Sequence, residues 1–378
     1  MDANKAALDL HNRIDAKGLE RLLDGLLSAL EVDGGAAKRL PPLMVWGAPG
    51  IGKSTIFRDM AARRGIGFID VRLAQREPVD VRGLPVPDGD GVKWLVSSEW
   101  PRDFNSKGII LFDEITAADR SLQVAAYEFI LDRRLGDLYQ VPPGWFICAA
   151  GNRVSDRAVA TTMSSALANR FLHVELVEDT ETWVAWAMAV GVHPSVIAFI
   201  RFRPICLFRQ EGENLERGWP SPRAWERVGH MVALFSNDTP LLQTAVNGLV
   251  GEKAGVEFMA FRKANAQFDD ATAMLTNAAV RVVVPEKADG KYALCSAVAY
   301  LLWRGRDATD EAKRLDGFFR VAMALPADFS TMLMMDVISD AKGDLSTRAA
   351  KIFAHPRYAE WTVTFGAAMQ KRLKGANP

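Results

Sequence analysis

The sequence is poor in cysteine: Cys148, Cys206 and Cys295 are the only three in 378 residues, and they lie far apart. An odd, scattered set excludes a disulfide framework and a Cys-x-x-Cys metal site, leaving buried apolar thiols in a reducing compartment as the expectation. Five histidines show no metal-ligand spacing. Neither sign of charge is in excess, since 46 Lys and Arg stand against 46 Asp and Glu. Gripping nucleic acid along its backbone takes a surplus of cations to displace counterions, so a global nucleic-acid surface is excluded and only a local basic groove stays open. Long hydrophobic runs are missing as well. Even apolar stretches such as Trp183 to Val192 fall short of the roughly 18 residues of a membrane span, and the segment MDANKAALDLHNRID is too polar for a signal peptide. A cytoplasmic protein without membrane contact is expected. There is no internal repeat and no low-complexity tract.

What is present is the composition of a folded chain, 49% hydrophobic and 24% charged. At about 100 to 200 residues per domain the length suggests two or three domains. Leu19, Leu22, Leu23, Leu26, Leu27 and Leu30 recur at helical spacing, and Gly34-Gly35 ends that helix. From Leu43 the texture changes to short apolar runs separated by helix-length segments: LMVW (43–46), FIDVRL (68–73), GIILF (108–112), WFICAA (145–150) and FLHVEL (171–176). Such alternation predicts an α/β fold with a largely parallel sheet and crossover helices. Between the second and third runs, residues 77–101 are rich in Pro and Gly, and a DGDG turn at 88–91 flanked by LPVP and VKWLV predicts a projecting β-hairpin. After Glu178 the pattern is helical around residues 183–190, 194–202, 223–235, 241–250 and 254–264. Helices resume from Tyr292, with interruptions near Pro326 and at His355-Pro356.

The strongest chemical signal is Gly47-Ala48-Pro49-Gly50-Ile51-Gly52-Lys53-Ser54, followed by Thr55, which fits G-x-x-x-x-G-K-[ST] directly after the first strand. Its glycines let backbone N–H groups turn inward around phosphates, the following helix aims its positive dipole end at them, and Lys53 reaches the β- and γ-phosphates. Ser54 supplies a hydroxyl for Mg²⁺. Downstream, Ile109-Ile110-Leu111-Phe112-Asp113-Glu114 is a buried strand ending in two acids. Alone it would read as an apolar strand with a solvated turn. Behind a phosphate loop it assigns Asp113 to the Mg²⁺ shell and Glu114 to polarising the attacking water.

Taken together, GAPGIGKS, LFDE, Ala149-Ala150-Gly151-Asn152 and Ala168-Asn169-Arg170-Phe171 stand in the order and spacing of an AAA+ ATPase. More narrowly, DEITAADRSLQVAAYEFILDRRL (113–135) resembles the corresponding stretch of the MoxR family, and the hairpin sits where such ATPases carry their helix-2 insertion. Trp-Pro-Ser-Pro-Arg-Ala-Trp (219–225) looks like a sensor-2 segment. The resemblance covers about residues 40–235. It implies that Asn152 is the sensor-1 residue orienting the lytic water, Arg170 an arginine finger reaching a neighbouring subunit's nucleotide, and Arg223 the sensor-2 arginine. Against these stand a turn-forming Asn after Gly151, a surface Arg flanking a strand, and a good helix start at Ser221-Pro222. Arg133 and Arg134 read as subunit-boundary contacts or as an exposed helix end. Thr116 and Asp119 depart from the family pattern, and neither is expected to touch a catalytic role. Trp94, Trp100, Trp183, Trp186 and Trp303 are expected in core or interface packing.

The resemblance implies an AAA+ P-loop domain followed by a helical lid and a helical C-terminal extension. The expected boundaries are 1–40 for an N-terminal helical segment, 41–178 for the α/β core with its insertion at 77–101, 179–284 for the lid and 285–378 for the extension. The activity implied is Mg-ATP hydrolysis by a ring, a hexamer in the family, that remodels or activates a protein partner. A protein with a von Willebrand factor A domain is the partner type it suggests. Two other classes stay open: a nucleic-acid motor, which the zero net charge disfavours, and a nucleotide-gated scaffold without turnover, which Glu114 and Arg170 disfavour.

Overall fold

The structure, a computed structural model, describes residues 12–153, 163, 165–209, 218–266, 271–305, 307–338 and 345–375. The chain divides into two compact units, Met1–Asp179 and Thr180–Pro378.

The first unit is an α/β P-loop domain. Its strands are β1 (Arg13–Ile14), β2 (Leu43–Trp46), β3 (Gly67–Arg72), β4 (Leu84–Asp88), β5 (Gly91–Leu95), β6 (Gly108–Asp113), β7 (Arg134–Leu135), β8 (Tyr139–Gln140), β9 (Trp145–Gly151) and β10 (Leu172–Leu176). Six of them form one parallel sheet in the order β1-β10-β2-β9-β6-β3. Every residue of β6 and β9 is buried, which is why both read as unbroken apolar runs instead of alternating ones. On one side of the sheet Trp100, Phe112, Phe129 and Tyr139 pack ring against ring, with centroids 4.5 Å apart for Trp100–Phe129 and 5.5 Å for Phe112–Phe129. The helix Ala16–Val32 buries Leu19, Leu23, Leu27 and Leu30 of the predicted stripe, with Leu22 and Leu26 half-buried beside them, and Asp15 caps its start by accepting from the Gly18 N–H at 2.8 Å.

The predicted hairpin forms from β4 and β5, antiparallel from Leu84↔Leu95 to Asp88↔Gly91. A short helix, Pro78–Arg82, precedes it and was not legible as periodicity. It depends instead on Pro78 at its first turn and a reciprocal cap in which the Glu77 N–H donates to Asp80 Oδ2 at 2.8 Å. The two-residue strands β1, β7 and β8 are likewise too short for a pattern to show.

Among its described residues the second unit contains helices and no strand. Its buried side chains form one cluster running from Trp183 to Phe365, and Trp186 and Trp303 pack against it. At its centre Arg201 pairs bidentately with Asp336 at 2.5 and 2.7 Å, joining the helix Pro194–Phe202 to Ala327–Ile338. All three cysteines are free and buried, as expected. Among the described residues no helix is long and apolar enough to cross a membrane.

Candidate active site

Three strand ends converge at one edge of the sheet. β2 leads into the glycine loop, β6 ends in Asp113-Glu114, and β9, lying between them, ends next to Asn152. Pairing of Trp46 with Gly151 carries on into the loop, where the Gly47 N–H donates to the Gly151 carbonyl at 3.2 Å. Gly50 (φ 84°) and Gly52 (φ 97°) take left-handed backbone that L side chains avoid. Nothing lies within 4 Å of where a Cβ on Gly52 would stand, so the loop opens there into free space. The helix Lys53–Arg64 starts from Gly52 with no side-chain cap, leaving its first N–H groups to whatever occupies the loop. Ala48 and Ile51 are buried, while Pro49 and Thr55 are half-buried along the same turn.

Lys53 is 8% exposed, and its ammonium donates to Gly47 O at 2.6 Å, Ala48 O at 3.0 Å and Asn152 Oδ1 at 2.9 Å. Ser54 Oγ donates to Asp113 Oδ2 at 2.5 Å. The other carboxylate oxygen, Asp113 Oδ1, accepts the Glu114 N–H at 2.9 Å. The glycine loop, the acid strand and the residue after β9 are thus tied side chain to side chain. Glu114 is exposed and has φ 55°, a left-handed conformation that costs a non-glycine residue about 1 kcal/mol or more. The turn after it is pinned by Ile115 N–H to Ala150 O at 3.1 Å, and by buried Gln123, whose Nε2 donates to Ile115 O at 3.1 Å and Ala118 O at 3.3 Å.

Thr116 corrects an expectation. It is 1% exposed and touches the site directly: its Oγ1 accepts the Asn152 N–H at 3.1 Å and faces the Asn152 carbonyl at 3.4 Å. A Cβ on Gly151 would come within 2.7 Å of the Thr116 methyl, so glycine there is what lets Thr116 pack against the end of β9. Asp119, expected only to stay clear of the catalytic roles, caps the helix Arg120–Asp132 through the Ser121 and Leu122 N–H groups. Arg133, half-buried, is no exposed helix end. Its guanidinium donates to the chain's own Pro142 O (3.0 Å) and Trp145 O (2.7 Å), and burial lowers its pKa to about 10. Arg134 is exposed beside Glu128.

Asp70, on β3, carries no motif and escaped the sequence reading. Its Oδ1 is buried without a hydrogen-bond partner, and burial, then the nearby Asp113 charge, raises its pKa against the opposing pull of Arg72 and Arg58. Arg170 lies at the other edge of the sheet, in the turn leading into β10, where the Leu172 N–H bonds to the carbonyl of Pro42 just ahead of β2. β2 separates it from the glycine loop by four residue steps, about 13 Å of strand. Its guanidinium is exposed, without an ion pair among the described residues. Arg223 belongs to the second unit, exposed in the first turn of the helix Pro222–Leu234, which Ser221 caps at the Ala224 N–H.

No protein-family model matches the chain, and no curated protein does. Among solved structures it is similar to NtrX from Brucella abortus at 17% identity and TM-score 0.35, spanning 71% of this chain and 64% of that one. A complex of the same NtrX with ATP matches at 15% identity over 98% and 71% of the two chains, with TM-score 0.33. The RuvB Holliday junction branch migration motor of Thermotoga maritima matches at 13% identity over 75% and 77%, also with TM-score 0.33.

Proposed function

We propose that the chain is a Mg-ATP-hydrolysing AAA+ ATPase of the MoxR type, working as a ring that remodels or activates a protein partner. The observation that carries this reading is the convergence of Lys53, Ser54, Asp113 and Asn152 within hydrogen-bond distance at one sheet edge. A hydroxyl and a carboxylate 2.5 Å apart offer hard oxygen donors, which suits Mg²⁺, an ion that keeps most of its waters and takes one or two protein oxygens. The open space over Gly52 and the uncapped helix start suit a phosphate chain. When bound, Mg-ATP supplies the phosphoryl group and neutralises charge building on its oxygens.

The chain's own groups divide the remaining work. Lys53 exchanges its carbonyl partners for phosphate oxygens. Glu114, on a strained turn and exposed, takes the proton of the attacking water. The Asn152 amide, its oxygen committed to Lys53, keeps its N–H donors for that water or for a phosphate oxygen. Arg170, on the opposite sheet edge from its own glycine loop, serves a neighbouring subunit, and Arg223 ties the helical part to nucleotide state. The family resemblance suggests a hexamer and a partner with a von Willebrand factor A domain. The β4–β5 hairpin exposes Leu84, Val92, Trp94 and Leu95, an apolar surface suited to passing nucleotide state to that partner.

Phosphate release and nucleotide affinity test the reading. Lys53→Ala abolishes ATP binding, whereas Glu114→Gln keeps binding and loses turnover. Equal hydrolysis by wild type and Glu114→Gln removes Glu114 from the role of base. Replacing residues 84–93 by a short Gly-Ser turn leaves ATP binding intact and uncouples hydrolysis from partner activation; unchanged coupling removes the hairpin from that role.

A further inference from the structure

His173 lies on β10, three residues after Arg170, and carries no motif. Both of its ring nitrogens are engaged. Trp46 Nε1 stands 2.8 Å from Nδ1, and the Ala168 carbonyl 2.7 Å from Nε2. An indole N–H can only donate and a carbonyl can only accept, so Nδ1 accepts and Nε2 carries the hydrogen: the imidazole is neutral and in one tautomer. The Trp46 and His173 rings lie within 18° of one plane with centroids 6.0 Å apart, as an in-plane N–H···N bond requires, and Phe171 closes on the imidazole at 6.0 Å.

Each end of this chain of bonds falls on a part of the proposed machinery. Trp46 is the last residue of β2 and immediately precedes Gly47 of the glycine loop. Ala168 is the last residue of the short helix Ser165–Ala168, and its carbonyl also receives the Phe171 N–H at 3.3 Å, closing the turn that holds Asn169 and Arg170. We propose that His173 is the positioning residue of Arg170: it clamps the arginine's turn to the strand bearing this subunit's own phosphate loop. The placement of the arginine offered to the neighbouring subunit is thereby set by the donor's β2. This rests on the reading of Arg170 as acting in a neighbouring site.

A residue that only pinned β10 to β2 would affect stability without regard to which subunit carried it. The test therefore uses co-assembled rings. His173→Phe keeps an aromatic ring in the place between Trp46 and Phe171 but loses both bonds, and lowers kcat about 100-fold, the scale of a displacement near 1 Å, with KM for ATP unchanged. His173→Gln, which can accept from Trp46 and donate to Ala168, restores most of the rate. Mixing His173→Phe with Lys53→Ala, whose own sites are dead but whose His173 and Arg170 are intact, recovers activity at the His173→Phe sites. Trp46→Phe removes only the donor to Nδ1 and supplies a milder version of the same complementation should His173→Phe fold poorly.

The proposal is overturned if the His173→Phe mixture stays inactive while a control mixture of Arg170→Ala with Lys53→Ala recovers, because the defect then lies in the subunit's own site. It is also overturned if KM rises while kcat holds. If the control mixture fails in co-assembled rings, Arg170 does not act in a neighbouring site, and the functional reading falls first.

Discussion

The two edges of the parallel sheet are made by the same strands and built on opposite principles. At the carboxyl edge, β2, β6 and β9 end in charged and polar groups whose partners are one another: Lys53 with Asn152, Ser54 with Asp113, Asn152 with Thr116. At the amino edge, β3, β6 and β9 start with Gly67, Gly108 and Trp145 side by side in register. Cβ atoms placed on those two glycines would lie 2.5 and 2.4 Å from the indole of Trp145, whose Nε1 donates to Ser106 Oγ at 2.8 Å. One edge binds its polar side chains to one another, and the other closes the core with one large ring over two missing side chains. Glycine serves both, for its backbone at 50 and 52 and for its lack of a side chain at 67 and 108.

Arg170 is the exception, an exposed cation on the amino edge with no ion pair among the described residues, and altering it is the most severe way to test the contrast. Arg170→Ala should lower hydrolysis about 1,000-fold or more, the range for an arginine stabilising a transferring phosphoryl group, while ATP affinity of the isolated subunit stays unchanged. Steady-state hydrolysis beside equilibrium nucleotide binding measures both. A variant with wild-type turnover would return Arg170 to being a surface cation of the packing edge.

The two edges were not equally legible in the sequence. The glycine loop and Asp113-Glu114 show because phosphate chemistry needs particular residue types at fixed spacing, and β2, β6 and β9 show most plainly because buried strands read as apolar runs. Thr116 and Asp70 did not show, since each acts through a fold contact: a hydroxyl meeting the backbone of a residue 36 positions away, and a carboxylate that feels the charge of Asp113 on the neighbouring strand. His173 was one of five unremarkable histidines until pairing of β10 with β2 set it beside Trp46. Of the amino-edge glycines, Gly108 opens a run that reads only as a strand and Gly67 lies just ahead of one, because what they accommodate, Trp145, comes from another strand.

The packing edge is tested next by filling the space its glycine leaves. Gly108→Val drives a branched side chain into the Trp145 ring, and should destabilise the protein by about 1 to 3 kcal/mol through overpacking. Denaturant unfolding measures it. Because the site lies at the far ends of the same strands, ATP affinity of the folded fraction should hold within about threefold, which is below 1 kcal/mol. A larger loss of affinity at unchanged stability would show that the edges are not separable.

The smallest effect sharpens the contrast from within the sheet. Asp70 is an acid on β3 whose Oδ1 is buried and unpartnered, with Arg58 3.4 Å away from the other oxygen. Burial raises its pKa above the usual carboxylate value, so the folded state holds this proton more tightly than the unfolded state does. The ionised form is therefore penalised on folding. The favourable contribution of the protonated acid is complete below the unfolded pKa, near 3.9, and is lost as pH rises through the higher folded value. Asp70→Asn keeps the shape without the charge, and should be more stable than wild type at neutral pH by about 0.5 kcal/mol, part of the gain being offset by the loss of the weak Arg58 pair. The advantage should shrink as pH falls through the acid range, because wild-type Asp70 then becomes neutral too. Paired unfolding curves near pH 7 and pH 4 decide it. A constant gap, or a wild type that is the more stable at neutral pH, would mean that Arg58 and not burial governs this carboxylate.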